Sequence, residues 1–403
     1  MKQNYNLTLI LFFILLNLSN VYSQIVVNGE YGIGRTSPAN SFFPELKANQ
    51  TASLSIGKKH NSDLAWSQEL NHPETGLTFE YSNYGNNQII GSSYSLLPYL
   101  ELPFLKSKIK GLALNTAMGV SYFDKTYDNG ANWTNKAVST HFTWSYRMFL
   151  YYSLFSNSNL KTRLSLGYTH HSNGHVKWPN NGLNTFLLGL NFKFQKEKVN
   201  LEKDSIISSL PVKFFSIRTG IGQHSLSRLE NKNKEVYNVA LSYGKIYKNT
   251  YKVGIGLYYR FYESYYDYIK SEGYLINEEY PELKKNAFYN SSTYGVFING
   301  ELLLNHIAFE AELGFNIDKP FYKVDYRLND EKYIPETNSY EVGTLGGYYN
   351  VKRFVAGKLG LKYYLLNTKN SPKHNLSIGA SICSNLGQAD YSELALSYTY
   401  CLK

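Results

Sequence analysis

The sequence predicts an all-β fold, an antiparallel transmembrane β-barrel of outer-membrane type with about sixteen strands in two repeats. Three observations carry this prediction. The chain holds 38 Tyr and 22 Phe among 403 residues, against 11 Pro and 3 Met, and its mean hydropathy is slightly negative. That combination is expected of barrels with aromatic girdles at both membrane interfaces. Short segments of alternating apolar and polar residues recur along the chain, separated by clusters of Asn, Gly, Asp, Ser and Lys. Past the N-terminal stretch no segment is apolar for the 18 residues or more that mark a spanning helix, roughly. This excludes a helical membrane protein and leaves a barrel open.

The elements follow in order. Residues 1–23, MKQNYNLTLILFFILLNLSNVYS, place Lys2 before an apolar run from Leu7 to Leu18. That run is shorter than the roughly 20 residues a spanning helix needs, so it reads as a secretory signal peptide cut near Ser23/Gln24. Strands are expected near 25–35, 50–58, 75–84, 90–100, 110–123, 137–153, 159–172 and 183–195. The polar stretch at 59–74 does not fit the alternation and leaves room for a miscounted strand. QKEKVNLEKDSIISSLP, residues 195–211, is charged and polar, ends in proline and reads as a linker. A second set of strands is expected near 212–224, 234–246, 249–265, 290–303, 305–316, 355–368, 374–384 and 389–400. The domains are thus a signal peptide (1–23), a first repeat carrying the candidate site (24–196), a linker (197–211) and a second, structural repeat (212–403).

The halves repeat each other. LSLGYTHHSN at 164–173 lines up with LSIGASICSN at 376–385, so that His170 and His171 correspond to Ile382 and Cys383. KIKGLALNTAMGVSYFDKTY and NHIAFEAELGFNIDKPFYKV echo each other more weakly. Two barrels of eight strands and one wide barrel both satisfy the count. Small barrels fill with side chains, whereas sixteen strands enclose an aqueous channel. The two cysteines, Cys383 and Cys401, fall out of register across the last hairpin, and no disulfide framework is implied. A net charge of +10 suits lipid phosphate, while nucleic acid does not suit an exported chain.

Three of the nine histidines crowd into YTHHSNGHVKWPNNGLN, residues 168–184. A hydrolytic site, a metal site and a polar loop are the candidates. With a period of two, Leu160, Leu164, Leu166, Tyr168, His170 and Ser172 share one face and Arg163, Ser165, Thr169 and His171 the other. The next strand repeats this, with Phe186, Leu188, Leu190, Phe192 and Phe194 on the apolar face, and Asn184 has the same parity. His170, Ser172 and Asn184 are therefore expected on the lipid side at the rim, and His171 in the lumen. If odd strands run outward, the seventh delivers His170 and Ser172 to the outer surface, and the long gaps 268–289 and 317–354 also fall there. Polar groups on a lipid face tend to be functional, although near the interface their cost is small. A metal site is disfavoured because His170 and His171 point to opposite faces, so no metal and no cofactor are expected. No Cys-x-x-Cys, phosphate loop or Gly-x-Ser-x-Gly elbow is present.

The run His170-His171-Ser172-Asn173, at the end of a barrel strand and ahead of PNNGLNTFLLGLNFKF, resembles the active-site strand pair of the lipid A 3-O-deacylase (PagL-type) family. NHPETGLTFEYSNYGNN at 71–87, GLKYYL at 360–365 and SNLGQADYSELALSYTY at 384–400 are similar to its longer members, often labelled acyloxyacyl hydrolases. The resemblance implies an outer-membrane barrel with an external, lipid-facing site that cleaves an ester-linked acyl chain from lipid A. Carried over, Ser172 is the nucleophile and His170 the general base, while Asn173 and the backbone amides around Gly174 are oxyanion-hole candidates. The family's third member is an acidic residue about twelve positions after the serine, where this chain has Asn184. An amide can orient the imidazole but cannot stabilise imidazolium as a carboxylate does. The alternative is a non-enzymatic barrel: a pore, a binding scaffold or a degenerate family member. The expected partner is outer-leaflet lipopolysaccharide; a homodimer is compatible with the sequence and not required by it.

Overall fold

The computed structural model describes residues 25–39, 42–60, 64–104, 111–195, 210–271, 273–329, 332–334, 339–341 and 345–402. The expected signal peptide and nearly all of the expected linker lie outside the described residues. Sixteen strands form two closed antiparallel barrels of eight, which decides between the two architectures the sequence left open. The first comprises β1 (Ile25–Thr36), β2 (Asn49–Lys59), β3 (Glu74–Asn83), β4 (Ser92–Pro103), β5 (Leu112–Phe123), β6 (Phe142–Ser156), β7 (Leu160–Ser172) and β8 (Leu183–Gln195). β1 closes it by pairing with β8. The second comprises β9 (Val212–Ser225), β10 (Asn233–Tyr247), β11 (Tyr251–Tyr262), β12 (Ser292–Leu304), β13 (Ile307–Asp318), β16 (Val355–Tyr364), β17 (His374–Asn385) and β18 (Gln388–Leu402), closed by β18 on β9. Two short strands, β14 (Lys332–Ile334) and β15 (Ser339–Glu341), pair only with each other.

The departures from the expected elements lie in the connections. The stretch 59–74 holds a short helix, α1 (Ala65–Glu69), and no further strand. β6 starts at Phe142 where the apolar pattern begins at 137, because Ala137 and Val138 pack into a loop cluster with Tyr84, Ile90, Phe123 and Leu183. β11 ends at Tyr262 and passes into helix α2 (Glu263–Lys270), followed by α3 (Ala287–Asn290) before β12. Helices α4 (Tyr322–Asn329) and α5 (Gly347–Phe354) occupy the connection between β13 and β16. No described helix is long and apolar enough to cross a membrane; the strands cross it, each 10 residues long or more.

Strand alternation sorts the side chains. On β7 and β8 the even positions face out, with Leu166 59% and Leu188 57% exposed, while Arg163, Ser165, Thr169, Asn191 and Lys193 are buried in the lumen. Both lumens are filled by ion networks. In the first, Arg147 bridges Glu30 and Glu80; Arg163 meets Glu101 at 2.7 Å, and Lys193 meets Glu74 at 2.5 Å and Glu101 at 2.7 Å. In the second, Arg218 pairs with Glu312, Lys358 lies 3.1 Å from Glu310 and 3.2 Å from Glu393, and Lys252 and Lys362 share Glu301. Buried ions persist only where partners compensate their lost hydration, which these crossing pairs provide.

The barrels touch at both ends. At the end where β7 finishes, Trp178 donates from its indole to Ser225 O (2.9 Å), and its backbone pairs with the Asn231 side chain. At the other end the Trp66 indole donates to Asn305 Oδ1 (3.2 Å), and Lys248 meets Glu69 at 2.8 Å.

Candidate active site at the end of the seventh strand

The candidate residues sit where β7 and β8 pair last, with His170 opposite Asn184 and His171 opposite Leu183. Because directly opposed residues of an antiparallel pair share one face, His170 and Asn184 meet outside the barrel. The His170 Nδ1 lies 2.7 Å from Asn184 Oδ1. Tyr168, two residues earlier on the same face, donates its hydroxyl to the same oxygen at 2.7 Å. An amide oxygen receiving the Tyr168 hydroxyl is an acceptor toward the ring as well, so the imidazole carries its proton on Nδ1 and leaves Nε2 basic.

Ser172 is less exposed than its parity suggests, at 5%. Its Oγ accepts from the Gly174 backbone N–H (3.2 Å) and from Asn180 Nδ2 (2.9 Å). Trp144 is its cross-strand neighbour, and the Trp144 indole donates to Ser392 Oγ of the second barrel at 2.9 Å. The expected lipid-facing serine is thus walled in by its own loop and by β18. The Ser172 hydroxyl is engaged with these donors, not with the imidazole.

The loop from 173 to 182 is shaped by its glycines. Gly174 (φ 68°) has no room for a side chain, since a Cβ there would lie 1.9 Å from Ser392 Oγ. Gly182 (φ 73°) passes over the His170 ring, 3.0 Å from its Cε1 to an added Cβ. Asn173 braces the loop: its amide donates to Ser139 Oγ (2.8 Å) and Lys177 O (2.7 Å), and its Oδ1 accepts from the His175 N–H (2.9 Å). With both side-chain donors committed, the Asn173 amide is not free to serve an oxyanion; the Gly174 N–H and Asn180 Nδ2 are the donors at the hydroxyl.

The three crowded histidines go to three environments. His170 faces out. His171 is buried in the lumen, with Nδ1 2.6 Å from Ser145 Oγ and Nε2 3.0 Å from Tyr84 OH. His175 leaves the first barrel and stacks on His224 of the second, with ring centroids 4.9 Å apart. They do not converge on one ion. Sequence reasoning missed Tyr168 and Asn180. The first was findable, since it shares the parity of His170, whereas nothing local marks Asn180 as folding back on Ser172.

The model of the family described as Lipid A 3-O-deacylase (PagL) matches residues 51–193. Among solved structures, the outer membrane enzyme PagL is 17% identical, covers 41% of this chain and 97% of its own, and has a TM-score of 0.29. A variant of Rh. blastica porin is 8% identical, covers 94% of this chain and 99% of its own, with a TM-score of 0.18. CdiB from Acinetobacter baumannii is 9% identical over 93% of this chain and 60% of its own, with a TM-score of 0.16. No curated protein matches. The barrel fold and the matched family indicate an outer-membrane protein of a Gram-negative bacterium. The matched region spans nearly all of strands β2 to β8, so the first barrel is the part of this chain that is similar to the PagL-type lipid A deacylase family.

Proposed function

We propose that the first barrel is an esterase that removes an ester-linked acyl chain from lipid A in the outer leaflet, with Ser172 as nucleophile, His170 as general base and Asn184 as the group that orients the imidazole. The observation that carries this reading is the 2.7 Å contact between His170 Nδ1 and Asn184 Oδ1 on the outer face, two residues from Ser172. It fixes the tautomer a serine hydrolase needs, with Nε2 unprotonated and able to take a proton.

The chemistry follows from the same residues. Substrate entry turns the Ser172 hydroxyl from Gly174 and Asn180 toward Nε2; hydrolase geometries often tighten only in the substrate complex. Oγ attacks the ester carbonyl while Nε2 takes its proton. The two donors it leaves, the Gly174 N–H and Asn180 Nδ2, are then available to the tetrahedral oxyanion. Collapse expels the sugar alkoxide, which takes the proton from His170. Water, deprotonated by His170, attacks the acyl-serine; collapse breaks the acyl–Oγ bond, His170 returns the proton to Ser172 Oγ, and the fatty acid is released. Asn184 orients the ring throughout, with no full charge to offset the imidazolium, so turnover is expected to be slow. His170 shares its outward face with Leu166, Phe186 and Leu188 further along the two strands, so an acyl chain could approach laterally along that apolar face.

The test is mass spectrometry of lipid A from an outer membrane carrying the protein, beside an equally expressed Ser172→Ala variant. Loss of one acyl chain with the first protein alone supports the esterase. Identical spectra, with both proteins folded in the membrane, sink it and leave a barrel that has kept the site's form without its activity.

A further inference from the structure

A second cluster of chemistry-bearing residues lies where the barrels meet. Donor atoms of His224 on β9, Asp325 on α4 and Asp390 on β18 all lie within 4.8 Å of one another, and all three residues are buried. His175, from the loop that follows Ser172, stacks nearly parallel on His224, 5° between ring planes. Together with Asp325 and Asp390 it lines a cavity of about 40 Å³, enough for an ion with a water beside it. His224 Nδ1 is held by Ser264 Oγ at 2.7 Å. The Nε2 atoms of both His175 and His224 have no hydrogen-bond partner, although the residues are only 7% and 0% exposed.

Two unpartnered imidazole nitrogens beside two carboxylates are costly to bury without a cation. Lys319 supplies one positive charge, 3.1 Å and 3.3 Å from the Asp390 oxygens, and is also bonded to Asn385. Asp325 receives neutral donors from Tyr265 at 2.7 Å and Asn329 at 2.8 Å. The Ser264, Tyr265 and Tyr262 hydroxyls behind His224, Asp325 and Asp390 form the outer layer that fixes such ligands.

We propose that His224, Asp325 and Asp390 bind one divalent transition-metal ion of the zinc class, with a water as the fourth ligand and His175, stacked on His224, covering the site from the loop behind Ser172. One imidazole with two carboxylates and an open position suits zinc, whereas calcium and magnesium prefer all-oxygen cages. Ligand atoms at about 2.0–2.2 Å from a common ion lie no more than about 4.4 Å apart, so the cluster needs only a slight contraction.

The test uses the full chain in detergent, stripped with EDTA and titrated with Co²⁺, and reads ion binding independently of deacylation. The expected result is visible absorption that saturates at one equivalent and is displaced by Zn²⁺. His224→Ala and Asp325→Asn should weaken binding by ~100-fold and His175→Ala by ~10-fold, with Ser172→Ala unchanged. Circular dichroism checks that each variant is folded. Should a variant not fold, X-ray absorption of the wild-type Co²⁺ complex decides: an imidazole with carboxylate oxygens supports the site, and all-oxygen or thiolate ligation overturns it. No binding by the wild type, or undiminished binding by folded His224→Ala and Asp325→Asn, also overturns it.

Discussion

The seventh strands of the two barrels differ where the chemistry is. β7 ends His170-His171-Ser172-Asn173 and β17 ends Ile382-Cys383-Ser384-Asn385. The serine and asparagine persist; both histidines do not. The cross-strand partner changes with them, since His170 faces Asn184 whereas Ile382 faces Ser392. Ser392 is turned to another task, accepting from Trp144 and packing against Gly174 of the first barrel. One architecture thus holds an imidazole with its amide partner in one copy, and a wall for that site in the other.

The sharpest test of the difference pairs Ser172→Ala with Ser384→Ala. The first is expected to lower acyl release by at least ~10³-fold and the second to leave it unchanged, measured as the time course of lipid A mass spectra. Equal losses would erase the distinction between the barrels. Next in size, Asn184→Asp restores the missing carboxylate and is expected to raise turnover by roughly 10²-fold or more, because an aspartate stabilises the imidazolium formed in the transition state. No gain would mean that proton transfer is not limiting.

The lumens, by contrast, should behave alike. Arg147→Ala leaves Glu30 and Glu80 without their cation, and Arg218→Ala strips Glu312. Each is expected to cost about 3–5 kcal/mol, read from urea unfolding of the protein in lipid vesicles. Smallest of all, Tyr168→Phe removes one donor to Asn184 Oδ1 and is expected to slow turnover by roughly 3- to 10-fold, with folding unaffected.

Much of this was legible in the sequence because it depends on local alternation. The period of two placed His170 and Asn184 on one face, and strand register brought them together. Two sets of eight strands and the polar break near residue 200 were legible as well, whereas the closure of each set on itself was not, because closure depends on pairing between the first and last strands of each set. What could not be read depends on contacts between distant segments. The burial of Ser172 comes from Asn180 folding back and from β18, more than two hundred residues away, reached through Trp144. The helices between β11 and β12 and between β13 and β16 run for eight residues or fewer, too short for a helical period to stand out from the loops around them. The cluster of His224, Asp325 and Asp390 joins three segments whose spacing carries no motif. Asn173 matches the resemblance in position, yet its amide is spent on bracing the loop.

The packed interiors bear on the cell that carries the protein. Arg147 and Arg163 in one barrel, and Arg218, Lys358 and Lys362 in the other, lie across the lumen and are tied to carboxylates. Eight-stranded barrels fill their interior with side chains, and here those side chains are paired ions. The protein is therefore expected to add no conductance to a planar lipid bilayer, which single-channel recording checks.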